Sequence, residues 1–153
     1  MAQVTISESA VVHAPPATVY GVLSDYREGH PAILPRPPFG ELAVESGGTG
    51  AGTVFRVQTR QGLAMRTFRM AVTEPEPGRL LVETDTESDL VSTFRVEPVE
   101  GGHSRVTITT RWTRGGVQGF VERLLLPTLA GPIYRKEIAN LERVALQRSA
   151  GAG

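Results

Sequence analysis

With three histidines, one tryptophan, three tyrosines and no cysteine, this 153-residue chain has a narrow chemical repertoire. His13, His30 and His103 are too widely spaced to form a metal-ligand motif. The lack of cysteine excludes disulfides, thiolate zinc sites and cysteine nucleophiles. No Gly-x-Ser-x-Gly elbow is present. What remains is a set of polar side chains placed among apolar ones. Arg66 alternates in phase with Phe68, Met70 and Val72, so a strand points all four the same way. Ser92 is in phase with Leu90, Phe94 and Val96, and Thr110 and Trp112 with Val106 and Ile108. Tyr26 and His30 fall at i, i+4; Tyr134 lies on an apolar helical stripe, with Glu137 a turn away at its edge.

An inward arginine can pair with a carboxylate, phenolate or enolate, or polarise a carbonyl. Its alternative is to run from the strand end beside Gln61-Gly62 into water. Ser92 and Thr110 can equally bond to backbone, Trp112 can be core, and His30 can be a polar residue at a helix end. Glu83 and Asp85 share one strand face, opposite Leu80, Val82 and Thr84. The latter three are expected to face inward, which leaves both acids in solvent and gives no paired-carboxylate hydrolase.

The elements that must position these groups follow from periodicity. Val4, Ile6, Ala10 and Val12 alternate with polar neighbours, a first strand. Pro15-Pro16 cannot continue a sheet ladder but suit a helix's first turn, where the N–H groups have no partner. Val19, Val22, Leu23 and Tyr26 then form one helical stripe. Asp25 with Glu28 resembles a capping box for a second short helix. Strands are predicted over 41–46, 52–60, 63–73, 79–85, 90–98 and 104–113. Their short connections require antiparallel neighbours. "GGTGAG" precedes a strand and not a helix, so it is a hairpin loop, not a phosphate loop. From Gly119 to about 148 a helical stripe returns, about 40 Å long, with a bend or break expected at Pro127, Gly131 and Pro132. Residues 149–153 are expected to fray.

Sixteen basic and sixteen acidic side chains cancel. No global field therefore attracts nucleic acid or an anionic membrane. Gln58, Arg60, Arg69, Arg95, Arg105 and Arg111 are expected on outward strand faces without interleaved aromatics, a poor nucleic-acid surface. The start "MAQVTISESA" lacks signal-peptide character and no segment approaches a membrane span, so a cytoplasmic location is expected.

The order strand, two short helices, six antiparallel strands and one long helix resembles the START-like (SRPBCC, polyketide cyclase/dehydrase-like) helix-grip superfamily. So do "APPATVYGVLSDYREGHPAILP", "GGTGAGTVFRV", the "EPGRL" turn and "LPTLAGPIYRKEIANLERVA". The resemblance spans nearly the whole chain. It implies an α+β fold, a single domain over 1–148 in which a strongly curved seven-stranded antiparallel sheet grips the C-terminal helix around a cavity. The loop at "GGTGAG" would then border the cavity mouth. The expected ligand is a hydrophobic or amphipathic molecule, aromatic, polyketide-like or lipid-like, with one anionic or hydroxyl group. Its expected contacts are Tyr26, His30, Arg66, Phe68, Met70, Ser92, Phe94, Thr110, Trp112 and Tyr134. No cofactor or metal, no nucleic acid and no membrane insertion are expected. The alternatives are a cofactor-independent aromatase/cyclase or dehydratase, with Arg66, Tyr134 or His30 steering proton transfer, and a protein-interaction module of the chaperone-activator type. Fold alone does not choose among these.

Overall fold

The computed structural model describes residues 2–152. The elements are β1 (Ala2–Val12), α1 (Pro16–Ser24), α2 (Gly29–Ile33), β2 (Phe39–Ser46), β3 (Val54–Gln61), β4 (Ala64–Glu76), β5 (Leu80–Asp85), β6 (Val91–Val99), β7 (His103–Arg114) and α3 (Gly116–Ala152). A short 3-10 turn, Glu100–Gly102, joins β6 to β7. The fold is α+β, one seven-stranded antiparallel sheet in the order β1-β7-β6-β5-β4-β3-β2.

The strand-to-helix switch at the prolines is local chemistry. Pro15 caps α1 in an extended conformation and Pro16 occupies its first turn, and the first ladder bond runs from the Val19 N–H to Pro15 O at 3.0 Å. Asp25 then ends α1. Its carboxylate accepts backbone N–H bonds from Arg27, Glu28 and Gly29 and is gripped by Arg148 Nη2 at 2.6 Å. Burial works to raise the Asp25 pKa, but Arg148 and the three amides outweigh it and hold the group below its usual range. One aspartate thus ties the α1–α2 corner to the far end of the chain.

In the first sheet pairing, Val4, Ile6, Ala10 and Val12 sit opposite Trp112, Thr110, Val106 and Ser104. Directly opposed residues share a face, so the inward sets of β1 and β7 meet as one surface. α3 packs along β1 and β7 and against α1 and α2. Its C-terminal half buries Ile138, Leu141, Val144 and Ala145. Its N-terminal half carries Val117, Phe120, Leu124 and Leu129 exposed.

Two expectations about α3 change. The helix runs unbroken through Pro127 and Pro132, and it continues to Ala152, past the expected end near 148. Each proline removes one ladder bond, and the turns on either side still supply the rest. Among the described residues no helix is long and apolar enough to cross a membrane.

The loop of residues 47–52 is pinned, not loose. Tyr26 N–H donates to Gly48 O, Gly50 N–H to Ser24 O, and Ala51 N–H to Glu74 Oε2, at 2.8–2.9 Å. It buttresses the α1–α2 corner and lines neither of the cavities described below.

Candidate functional site

Between the sheet and α3 lies a cavity of about 280 Å³, just below the usual range for small-molecule sites (about 300–1,000 Å³). Its walls are mostly apolar, from Ile6 and Ile108 on β1 and β7 through Phe55, Phe68, Met70 and Phe94 to Ile133 on α3. A second, more polar recess of about 560 Å³ adjoins it. Arg60, Phe68, Leu90 and Trp112 line both spaces and mark their junction.

Of the ten expected contacts, eight line the inner cavity: His30, Phe68, Met70, Ser92, Phe94, Thr110, Trp112 and Tyr134. Tyr26 and Arg66 do not. Tyr26 is fully buried behind His30, its ring stacked between those of His30 (4.7 Å) and Phe55 (4.9 Å). Arg66 is in phase with Phe68 as expected, but β4 runs out of the core before reaching it, leaving residues 64–67 exposed. Its guanidinium lies 4.4 Å from the centre of the Phe68 ring and faces the outer recess. The cation–π contact holds it at the mouth.

The largest correction concerns β5. Leu81, Glu83 and Asp85 are the buried set, while Leu80 and Val82 are only half-buried and Thr84 is exposed. The run Leu80-Leu81-Val82 is apolar on both phases, so alternation cannot choose a face. Pairing does: Leu81 opposes Phe94, and Glu83 opposes Ser92 on one side and Val72 on the other, all inward. Had the inward phase of Ser92 been carried across the β5–β6 pairing, the same face would have followed.

Glu83 therefore enters the cavity wall, 6% exposed, and two groups converge on it. The Tyr26 hydroxyl donates to its Oε2 at 2.7 Å, and His30 Nε2 stands 3.4 Å from the same oxygen. His30 Nδ1 lies 2.8 Å from Leu23 O. A carbonyl only accepts, so Nδ1 carries a hydrogen and Nε2 is the variable position. Burial drives the Glu83 carboxyl above its usual range, opposed by His30 and by the Tyr26 hydrogen bond. The phenol of Tyr26 is itself raised well above normal, by burial first and then by Glu83.

Glu137 projects from α3 into the same cavity, 3% exposed. Burial, and secondarily Glu83, push its pKa from 4.5 up to about 8. One turn away, the Tyr134 hydroxyl donates to Thr110 Oγ1 at 2.5 Å, and Thr110 Oγ1 is 2.8 Å from Ser92 Oγ. Burial raises the Tyr134 phenol. Trp112 Nε1–H is anchored outside the cavity by Glu122 Oε1 at 3.1 Å.

The other histidines lie elsewhere. His13 and His103 pack edge to face at 5.0 Å, and His13 Nδ1 is 2.7 Å from Glu142 Oε2. Among the described residues no group of three or more His, Asp or Glu is arranged to hold a metal ion.

Residues 3–146 match the family model described as polyketide cyclase/dehydrase and lipid transport. No curated protein matches the sequence. Among solved structures, the NMR structure of KanY protein superposes with a TM-score of 0.80 at 32% identity, covering 95% of this chain and 99% of that one. The Zhui aromatase/cyclase from Streptomyces sp. R1128 superposes at 0.77 with 17% identity, over 99% of this chain and 98% of that one. The ginseng major latex-like protein 151 from Panax ginseng does so at 0.70 with 10% identity, over 95% and 99%. At such identities the last two establish the helix-grip fold alone.

Proposed function

The chain belongs to the polyketide cyclase/dehydrase and lipid transport family, and from that premise we propose that it binds a hydrophobic or amphipathic small molecule, aromatic, polyketide-like or lipid-like, in the cavity between sheet and α3. The observation that carries this reading is the lining: an apolar enclosure interrupted by one cluster of convergent polar groups, the usual composition of a ligand site. An interaction module would show a small or collapsed cavity and a contiguous exposed apolar patch; the N-terminal half of α3 does expose Val117, Phe120, Leu124 and Leu129, and it is the open cavity that favours the ligand reading.

Trp112 is the chain's single tryptophan and lies at the junction of the two spaces, so its fluorescence reports occupancy. Native mass spectrometry of fresh protein, then titration with fused-ring aromatics and fatty acids, is expected to show a bound mass and a change in Trp112 emission. Ala130→Phe, which places a ring in the cavity from α3, should abolish both while the protein stays folded. No bound mass, no emission change and no rise in melting temperature across the panel would overturn the reading.

A second reading rests on the His30–Glu83 pair, which can take and return a proton inside an apolar enclosure. A bound β-hydroxy ketone would lose its α-proton to the pair. The electrons of that C–H bond form the C=C, and the C–O bond breaks as a carboxylic acid at Glu137 protonates the departing hydroxyl, giving enone and water. The protein would then be a cofactor-independent dehydratase or cyclase. Turnover of 4-hydroxy-4-phenylbutan-2-one above background, lost in His30→Asn and Glu83→Gln, is the expected result. No turnover in wild type would remove this reading and leave the first.

A further inference from the structure

Charge is unevenly distributed along the cavity proposed above as the ligand site, on which this inference rests. The inner space holds two carboxyl groups, Glu83 from β5 and Glu137 from α3. Its one inner base, His30, is already engaged at both ring nitrogens, by Leu23 O and by Glu83. The arginines stand at the other end: Arg60 at the junction, and Arg66 and Arg114 in the outer recess, where Asp89 and Glu122 also line the wall, Glu122 paired with Arg114 at 3.4 Å and Asp89 accepting from the Thr113 N–H. Glu83 is satisfied by Tyr26 and His30. Glu137 has no hydrogen-bond partner among the described residues although it is 3% exposed. None of its buried atoms is stranded in the packing, so its free oxygens open onto the cavity.

A buried carboxyl without a partner costs free energy that a ligand can recover by supplying one. Three chemistries compete for it. A carboxylate would bring a full charge into an apolar enclosure whose inner end, among the described residues, offers two carboxyl groups and no unengaged cation to pair with it, the least favourable arrangement. A plain hydrocarbon would bury Glu137 still unpartnered. A hydroxyl both donates and accepts, and so matches a carboxyl in either protonation state. We propose that the cavity takes an amphipathic molecule whose inner end is a neutral hydroxyl, phenolic or alcoholic, anchored on Glu137, with any anionic group directed outward to the arginine-lined mouth.

Three probes of equal ring size decide it: 2-naphthol, naphthalene and 2-naphthoate, titrated at pH 7 by ligand-detected NMR. In wild type, 2-naphthol is expected to bind about ten-fold tighter than either of the others, the worth of one buried hydrogen bond. Glu137→Leu should reduce 2-naphthol to the affinity of naphthalene. Glu137→Gln, which keeps a donor and an acceptor, should hold 2-naphthol within a few-fold. Equal or tighter binding of 2-naphthoate in wild type overturns the assignment, as does a 2-naphthol preference that survives Glu137→Leu. Binding of all three without discrimination removes the hydroxyl assignment but leaves the ligand-binding reading. Binding of none removes both.

Discussion

Replacing Glu137 with leucine is expected to raise the melting temperature, and to raise it more at pH 8 than at pH 5. The Glu137 pKa in the folded protein is about 8 against 4.5 for the free side chain. The folded state therefore holds this proton more tightly than the unfolded chain. The stability associated with the protonated form is fully present below about pH 4.5 and is lost as pH rises through the folded pKa. Between those limits the loss approaches about 5 kcal/mol, at about 1.4 kcal/mol per decade. Glu83 on β5, also raised by burial, acts with the same sign. The other titratable or charged groups lining the same cavity are His30 on α2, Arg60 on β3 and Tyr134 on its own helix, with Tyr26 behind Glu83. Four carboxyls have the opposite tendency, Asp25, Glu45, Asp89 and Glu142, all held low. Their stabilisation is complete above the unfolded pKa values of about 4 and adds no slope between pH 5 and 8. Thermal unfolding of wild type and Glu137→Leu across that window isolates the one carboxyl. The gap should widen to roughly 10 °C at pH 8, at about 2–4 °C per kcal/mol for a chain of this size. A gap that does not change with pH would mean that Glu137 is ionised throughout.

Glu83→Leu should do the reverse. Both carboxyls are buried, but Glu83 accepts the hydrogen bond of the buried Tyr26 hydroxyl and stands 3.4 Å from the buried His30 Nε2. Removing it leaves the Tyr26 hydroxyl and His30 Nε2 without their protein partner in an enclosure where Tyr26 is fully buried. Breaking such a cluster from one side costs about 3–5 kcal/mol, about 10 °C in melting temperature. The loss should be partly recovered by Tyr26→Phe in the same chain, because the stranded hydroxyl is then gone. Tyr26→Phe alone should cost about 1 kcal/mol. The coupling between the two substitutions is the decisive quantity. Additive effects, or a Glu83→Leu variant as stable as wild type, would show that the three groups do not act as a unit. That contrast is what the proposed site predicts: one carboxyl is part of the fold, and the other is maintained against stability.

Much of the scaffold was legible in the chain. Period-two alternation located all seven strands within a few residues, and short turns forced antiparallel neighbours. The Pro15-Pro16 pair marked the strand-to-helix change because proline has no amide hydrogen to give a ladder. The inward phases of Phe68, Met70, Ser92, Phe94, Thr110 and Trp112 came from the same alternation, and these residues do line the cavity.

What alternation could not supply was the face of Leu80–Asp85, the reach of β4 and the depth of Glu137. Leu80-Leu81-Val82 is apolar on both phases, so only the opposition of Glu83 to Ser92 and Val72 turns the acid inward. Arg66 has the right phase, but phase says nothing of where the core ends along a strand, and the core ends at Phe68. Glu137 sits at the edge of its helical stripe, and its burial depends on the packing of α3 over the cavity. His30, Glu83 and Glu137 lie on a short helix, a strand and a long helix separated by 53 and 54 residues. Short-range spacing encodes which face each residue takes within its own element. The meeting of three titratable groups, and the pKa shifts that burial imposes on the two carboxyls, arise only when distant elements pack and exclude water.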